Sequence, residues 1–97
     1  MSAYIIVEVE VKDPIKYEDY KKLTPATLEV YGGKFIVRGG KAELLEGDKQ
    51  PERIVILEFE SIEKAKAWWS SPEYSEVKKL RHVTADSRMI VVEGFKR

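Results

Sequence analysis

Cysteine is absent from this chain, which excludes disulfides, thiol nucleophiles and thiolate metal sites and fits a cytoplasmic protein. Asparagine is also missing, Gln50 is the only glutamine, and lysine and glutamate are abundant, a bias associated with thermophiles. His82 is the only histidine, too few nitrogen ligands for a zinc centre, so no metal and no cofactor is expected. No apolar run reaches the roughly eighteen residues of a membrane span, and there is no charged-then-apolar leader. Neither sign of charge is in excess: seventeen basic residues balance seventeen acidic ones. No long-range field therefore draws nucleic acid or an anionic membrane. The 97 residues make one domain, 1–97, with a single core.

What is present is strong periodicity. Residues 3–11 are rich in β-branched side chains and read as a strand, with Ile5, Val7, Val9 and Val11 on one face. Asp13-Pro14 opens a helix whose buried stripe runs through Tyr17, Tyr20, Leu23 or Thr24, Thr27 and Tyr31. Pro25 should bend that helix near 21–23. Strands follow at 33–38, 53–60 and 87–94, with a short extra one at 42–46. Ser61 caps a second helical region, and Ser71-Pro72-Glu73-Tyr74 restarts it. The order is βαββαβ. It predicts an α+β, ferredoxin-like layout: a four-stranded antiparallel sheet with both helical regions on one face.

The uncovered face should then alternate apolar and polar, and it does not. Strict alternation assigns Tyr4, Ile6, Ile36, Ile54, Ile56, Met89 and Val91 to it, too much apolar surface for a lone subunit. A second copy packed sheet to sheet would cover it, so the expected partner is the chain itself. Burying roughly 500–800 Å² per subunit is worth on the order of 12–20 kcal/mol before association costs. The same alternation places Glu8, Arg38, Glu58 and Glu93 on that face, either as a structural ion-pair network or as a polar pocket.

Arg38 is the leading ligand-binding candidate, a cation on an apolar face followed by Gly39 and Gly40. The glycines lack phosphate-loop spacing. Trp68 and Trp69 lie about 100° apart on a helix, so one is core and Trp69 can wall a cleft. Tyr74, in the first turn of its helix, could join Arg38 and Arg81 around a carboxylate. His82 is a candidate general base and Glu58 a second candidate proton carrier. The many surface lysines alternate with acids at helical spacing and form a solvated face.

Asp13-Pro14-x-x-Tyr17-x-x-Tyr20, Tyr31-Gly32-Gly33-x-Phe35-x-Val37-Arg38-Gly39-Gly40, Leu45-Glu46-Gly47, Glu58-Phe59, Ala65-x-Ala67-x-Trp69-x-Ser71-Pro72-Glu73-Tyr74, Arg81 and Val92-Glu93-Gly94 together resemble the family called domain of unknown function 1330. The likeness covers nearly the whole chain. It implies a dimeric α/β barrel, in the superfamily of small antibiotic-biosynthesis-type monooxygenases and chlorite-dismutase-like haem proteins. It implies no established activity. Two readings stand. In one, a homodimer binds a small anionic or polar-aromatic molecule, with cofactor-independent oxygenase- or isomerase-like chemistry as its enzymatic form. In the other, a non-catalytic structural dimer uses its charges to fix register.

Overall fold

Asp13 and Pro14 open the first helix: the Asp13 carboxylate accepts from Lys16 N–H at 3.1 Å, and proline takes a position needing no donor. The computed structural model describes residues 2–95. In it α1 spans Pro14–Glu29, between strands β1 (Ala3–Val11) and β2 (Lys34–Arg38). Strand β3 (Arg53–Phe59), helices α2 (Ile62–Trp69) and α3 (Pro72–Thr84), and strand β4 (Ala85–Glu93) follow. The strands pair antiparallel in the order β2-β3-β1-β4, the expected ferredoxin-like topology. Serine caps start both later helices, Ser61 Oγ on Lys64 N–H and Ser71 Oγ on Tyr74 N–H.

Pro25 does not split α1. Proline lacks the N–H that would bond the carbonyl four residues back, Lys21 O, and Arg38 Nη2 donates to that oxygen at 2.6 Å. Of the two alternatives for the helix stripe, Thr24 is buried and Leu23 is half-exposed. Gly32, in the left-handed region at φ 72°, ends the helix, and Gly33 N–H closes on Leu28 O at 3.0 Å.

The core lies between sheet and helices: Ile5, Val7, Val9, Val55, Leu57 and Phe59 from the strands meet Tyr17, Tyr20, Leu28, Trp68, Tyr74 and Val77. Three placements differ from simple alternation. A β-bulge lies between Phe35 and Val37, so Phe35 stands opposite Leu57, Val37 opposite Ile56 and Arg38 opposite Val55. The extra residue turns Arg38 over, onto the helix side with Phe35 and Val55. Strand β4 starts directly at the end of α3, with Ala85 buried against Val11, which fixes its parity. Met89 and Val91 therefore face the helices opposite Val7 and Ile5, and Ile90 and Val92 take the open face. Glu93 shares the helix side with Ala3. The open face consequently carries Glu8 and Glu58, joined by Lys34 and Arg88, and not Arg38 or Glu93.

Residues 42–46 form no strand. Gln50 occupies their backbone groups instead, accepting from Leu44 N–H at 3.0 Å and donating to Ala42 O at 2.6 Å.

Candidate functional site

The buried stripe of α3 falls at three- and four-residue intervals: Tyr74, Val77, Arg81 and Thr84. That spacing carries a guanidinium inside. Arg81 is only 4% exposed, and its Nε–H is buried with no acceptor. Its remaining contacts are neutral, Nη1 with Ser87 Oγ and Nη2 with His82 Nε2 at 3.3 Å. Ser87 comes from β4, on the helix side opposite Val9. No carboxylate pairs with Arg81 among the described residues. A buried cation without a counter-charge is costly, which marks the position as one where an anion is stabilising.

Trp69 stands beside it. The last turn of α2 sends Trp68 fully inward, stacked 4.0 Å from the Tyr74 ring, and leaves Trp69 44% exposed. Lys78 Nζ sits 3.6 Å from the Trp69 ring centroid and donates to Trp69 O at 2.9 Å. Two contiguous concavities share Trp69 and Met89. One, of about 370 Å³, is walled by Ile5, Ala65, Trp69, Met89 and Val91. The other, of about 480 Å³, holds Arg81, His82, Asp86 and Ser87. An apolar chamber thus runs into a polar mouth that holds Arg81, with Asp86 in the same lining but not within ion-pair distance of it. Desolvation, then Arg81, then Lys78 hold the His82 pKa below its ordinary 6.5. The ring is accordingly neutral near pH 7, with Nε2 as the acceptor from Arg81. Lys78 is likewise lowered, by desolvation and then by Arg81.

The residues named from sequence divide into four places. Trp69, Arg81 and His82 come together in this groove. Arg38 and Gly39 lie at the seam of α1 with β2 and β3, where Arg38 also covers the Phe35 ring at 4.2 Å. Gly39, at φ 75°, admits the Arg53 guanidinium, into which a Cβ would run. Tyr74 is fully buried between the two, its hydroxyl 2.7 Å from that of Tyr20, so it cannot hold a carboxylate beside Arg38 and Arg81. Burial above all, and the Tyr74 hydroxyl, push the Tyr20 pKa upward, so the Tyr20 phenol stays neutral. Glu58 is on the opposite side of the sheet, 3.4 Å from the Tyr4 hydroxyl. The sequence places Met89 on the uncovered face and Lys78 on a solvated surface, and it gives Ser87 and Arg53 no role. For Arg53 the signal was there, since it shares parity with inward-facing Val55 and Leu57.

The family model described as Domain of unknown function (DUF1330) matches residues 2–95. No curated protein matches. Among solved structures, a protein of unknown function from Rhodopseudomonas palustris, RPA0582, is 24% identical with a TM-score of 0.78, covering 99% of this chain and 84% of that one. A dimeric ferredoxin-like protein of unknown function from Jannaschia sp. CCS1 is 8% identical with a TM-score of 0.75, over 97% and 100% of the two chains. SnoaB, a cofactor-independent oxygenase from Streptomyces nogalater, is 14% identical with a TM-score of 0.70, over 99% and 95%. At such identities the likeness establishes the fold alone.

Proposed function

This chain belongs to the DUF1330 family, and from that membership together with the groove between α2, α3 and β4 we propose that it acts as a homodimer binding a small amphipathic organic anion. The observation that carries this reading is Arg81, a guanidinium 4% exposed, without a carboxylate, at the mouth of an apolar chamber. A carboxylate or enolate oxygen there would meet a charge-assisted donor in a desolvated setting. The ligand's ring or chain would lie along Trp69 and Met89. Arg38, the leading candidate from sequence, serves a different part of the molecule.

The dimer reading rests on the open face, where Ile6, Ile54, Ile56, Ile90 and Val92 form an apolar band. Its charges stand across neighbouring strands, Glu8 opposite Arg88 at one end and Lys34 opposite Glu58 at the other. A second copy seated on the band leaves these charges at its wetter margins. The dimeric Jannaschia protein has the same fold, which supports this reading.

A catalytic form of the proposal uses His82. When Arg81 Nη2 turns from His82 Nε2 to the ligand oxygen, the freed Nε2 takes a proton from the carbon next to the ligand's carbonyl, and Arg81 stabilises the enolate. Return of that proton to a different carbon is an isomerisation, with no net oxidation. With dioxygen as the electron acceptor, the same enolate enters oxygenation of the kind named for SnoaB.

A panel of aromatic and aliphatic carboxylates, read by tryptophan emission and melting temperature, tests the binding claim. An aromatic carboxylate should raise the melting temperature and alter Trp69 emission. If no member exceeds chloride at equal ionic strength, the groove is not a carboxylate site. For assembly, Ile56→Lys should convert a sedimenting dimer to single subunits. A wild-type chain that sediments as one subunit at micromolar concentration ends the dimer reading.

A further inference from the structure

Every ion pair among the described residues uses a lysine, and no arginine there has a carboxylate oxygen within 4.0 Å. Two of these unpaired guanidiniums, Arg38 and Arg53, share one groove of about 460 Å³ at the seam of α1 with β2 and β3. Three independent features hold them there. The bulge turns Arg38 to the helix side, and the carbonyl freed by Pro25 fixes its Nη2 at 2.6 Å. Gly39 leaves space that any side chain would take from the Arg53 guanidinium. Arg53 Nε–H is buried without an acceptor.

The charge balance of the groove is one-sided. Glu18 is its only carboxylate, and it is spoken for by Lys21 at 2.9 Å. Arg38, Arg53 and Lys22 face the groove without an opposing charge. A monocarboxylate would leave most of that charge uncompensated. A phosphoryl dianion spreads its charge over several tetrahedral oxygens, which two planar guanidinium forks can engage together. The inner cavity that Arg38 and Arg53 also line is about 30 Å³, room for a water molecule and not for an organic body. The seam therefore recognises a head group and leaves the remainder of the ligand outside.

We propose that this seam is a second binding site, separate from the Arg81 groove, for a phosphoryl group borne by a free phosphate or a phosphate monoester. It does not depend on the carboxylate reading, because the two grooves share no residue.

The test is a backbone-amide NMR titration of the full chain with inorganic phosphate, then with phenyl phosphate, against chloride at matched ionic strength. Saturable shifts are expected at Lys21, Lys22, Arg38, Gly39 and Arg53. Tighter binding of phenyl phosphate marks the monoester as the source, and equal binding marks the free phosphoryl group. Arg38→Gln should weaken binding about tenfold or more. Lys22→Glu, at an exposed position outside the packing, should weaken it about threefold or more, which keeps the test usable if Arg38→Gln unfolds. The proposal is overturned by shifts no larger than chloride's, by shifts centred on Trp69 and His82, by tighter binding of succinate than phosphate, or by a Lys22→Glu chain that binds as wild type.

Discussion

Replacing Arg81 with methionine separates a ligand anchor from a structural strut. The side chain is 4% exposed, and taking a guanidinium out of water has an effective cost of several kcal/mol. Opposing that cost are its hydrogen bonds to Ser87 and His82, about 1.5–3 kcal/mol each for a charged donor. A position in the last turn of α3 adds about 0.3–1 kcal/mol through the helix dipole. Ser87 and His82 are exposed residues, so water replaces Arg81 as their partner when it is removed. Methionine keeps most of the buried stem without the charge. The buried Nε–H without an acceptor adds about 1–3 kcal/mol to the cost, so Arg81→Met should raise unliganded stability by about 1 kcal/mol, or roughly 4–8 °C in melting temperature for a domain of this size. In the same variant, affinity for an aromatic carboxylate should fall about tenfold or more. Urea unfolding with and without the carboxylate measures both quantities. A loss of about 2 kcal/mol in the unliganded protein would refute the reasoning, since Arg81 would then be tying α3 to β4. Unchanged affinity would refute it equally.

Three other outcomes follow from the geometry. Arg38→Ala should cost less in a Pro25→Ala background than in the wild type, because the alanine restores a backbone N–H that can bond Lys21 O itself; a double-mutant cycle by urea unfolding should give a coupling of about 0.5–1 kcal/mol. The lowered His82 pKa means that the native state binds fewer protons than the unfolded chain below about pH 6.5, so stability should fall as pH drops through that value. A His82→Gln chain should lose that part of the slope in melting temperature against pH, whereas carboxylate affinity in the wild type should rise over the same interval as the imidazolium forms beside Arg81. Tyr74→Phe leaves the buried Tyr20 hydroxyl without its 2.7 Å partner and should destabilise by about 1–3 kcal/mol, measured by thermal unfolding.

Much of the architecture was legible because local chemistry dictates it. Asp13-Pro14, Ser61 and Ser71-Pro72 each satisfy helix N–H groups by a rule that needs no tertiary information, and all three start helices as read. The parity of β1 and β3 was equally plain, since one face of each had to be buried. Arg38 was placed on the wrong face because nothing in the alternation of Lys34–Arg38 marks an inserted residue; pairing with β3 creates the bulge. Strand β4 was miscounted for a related reason, its phase being set by the α3 junction at Ala85 and not by its own composition. The stretch 42–46 resembles a strand locally, but a side chain satisfies its backbone before another strand can. At the site, the pairing of Trp68 inside with Trp69 at the surface follows from helical geometry. The closeness of Tyr74 to Tyr20 does not, because it depends on how α1 and α3 cross.

The bulge also makes the two rims of the sheet unlike. Along β2 the outward row of amides and carbonyls is short and broken at its middle, a poor template for strand addition. Along β4 the row runs over nine regular residues. Sheet extension from this molecule can therefore proceed from one rim only, so two copies meeting there would exhaust the growing edge and stop, and the fold resists runaway polymerisation without needing a proline or a covering loop on its longer side.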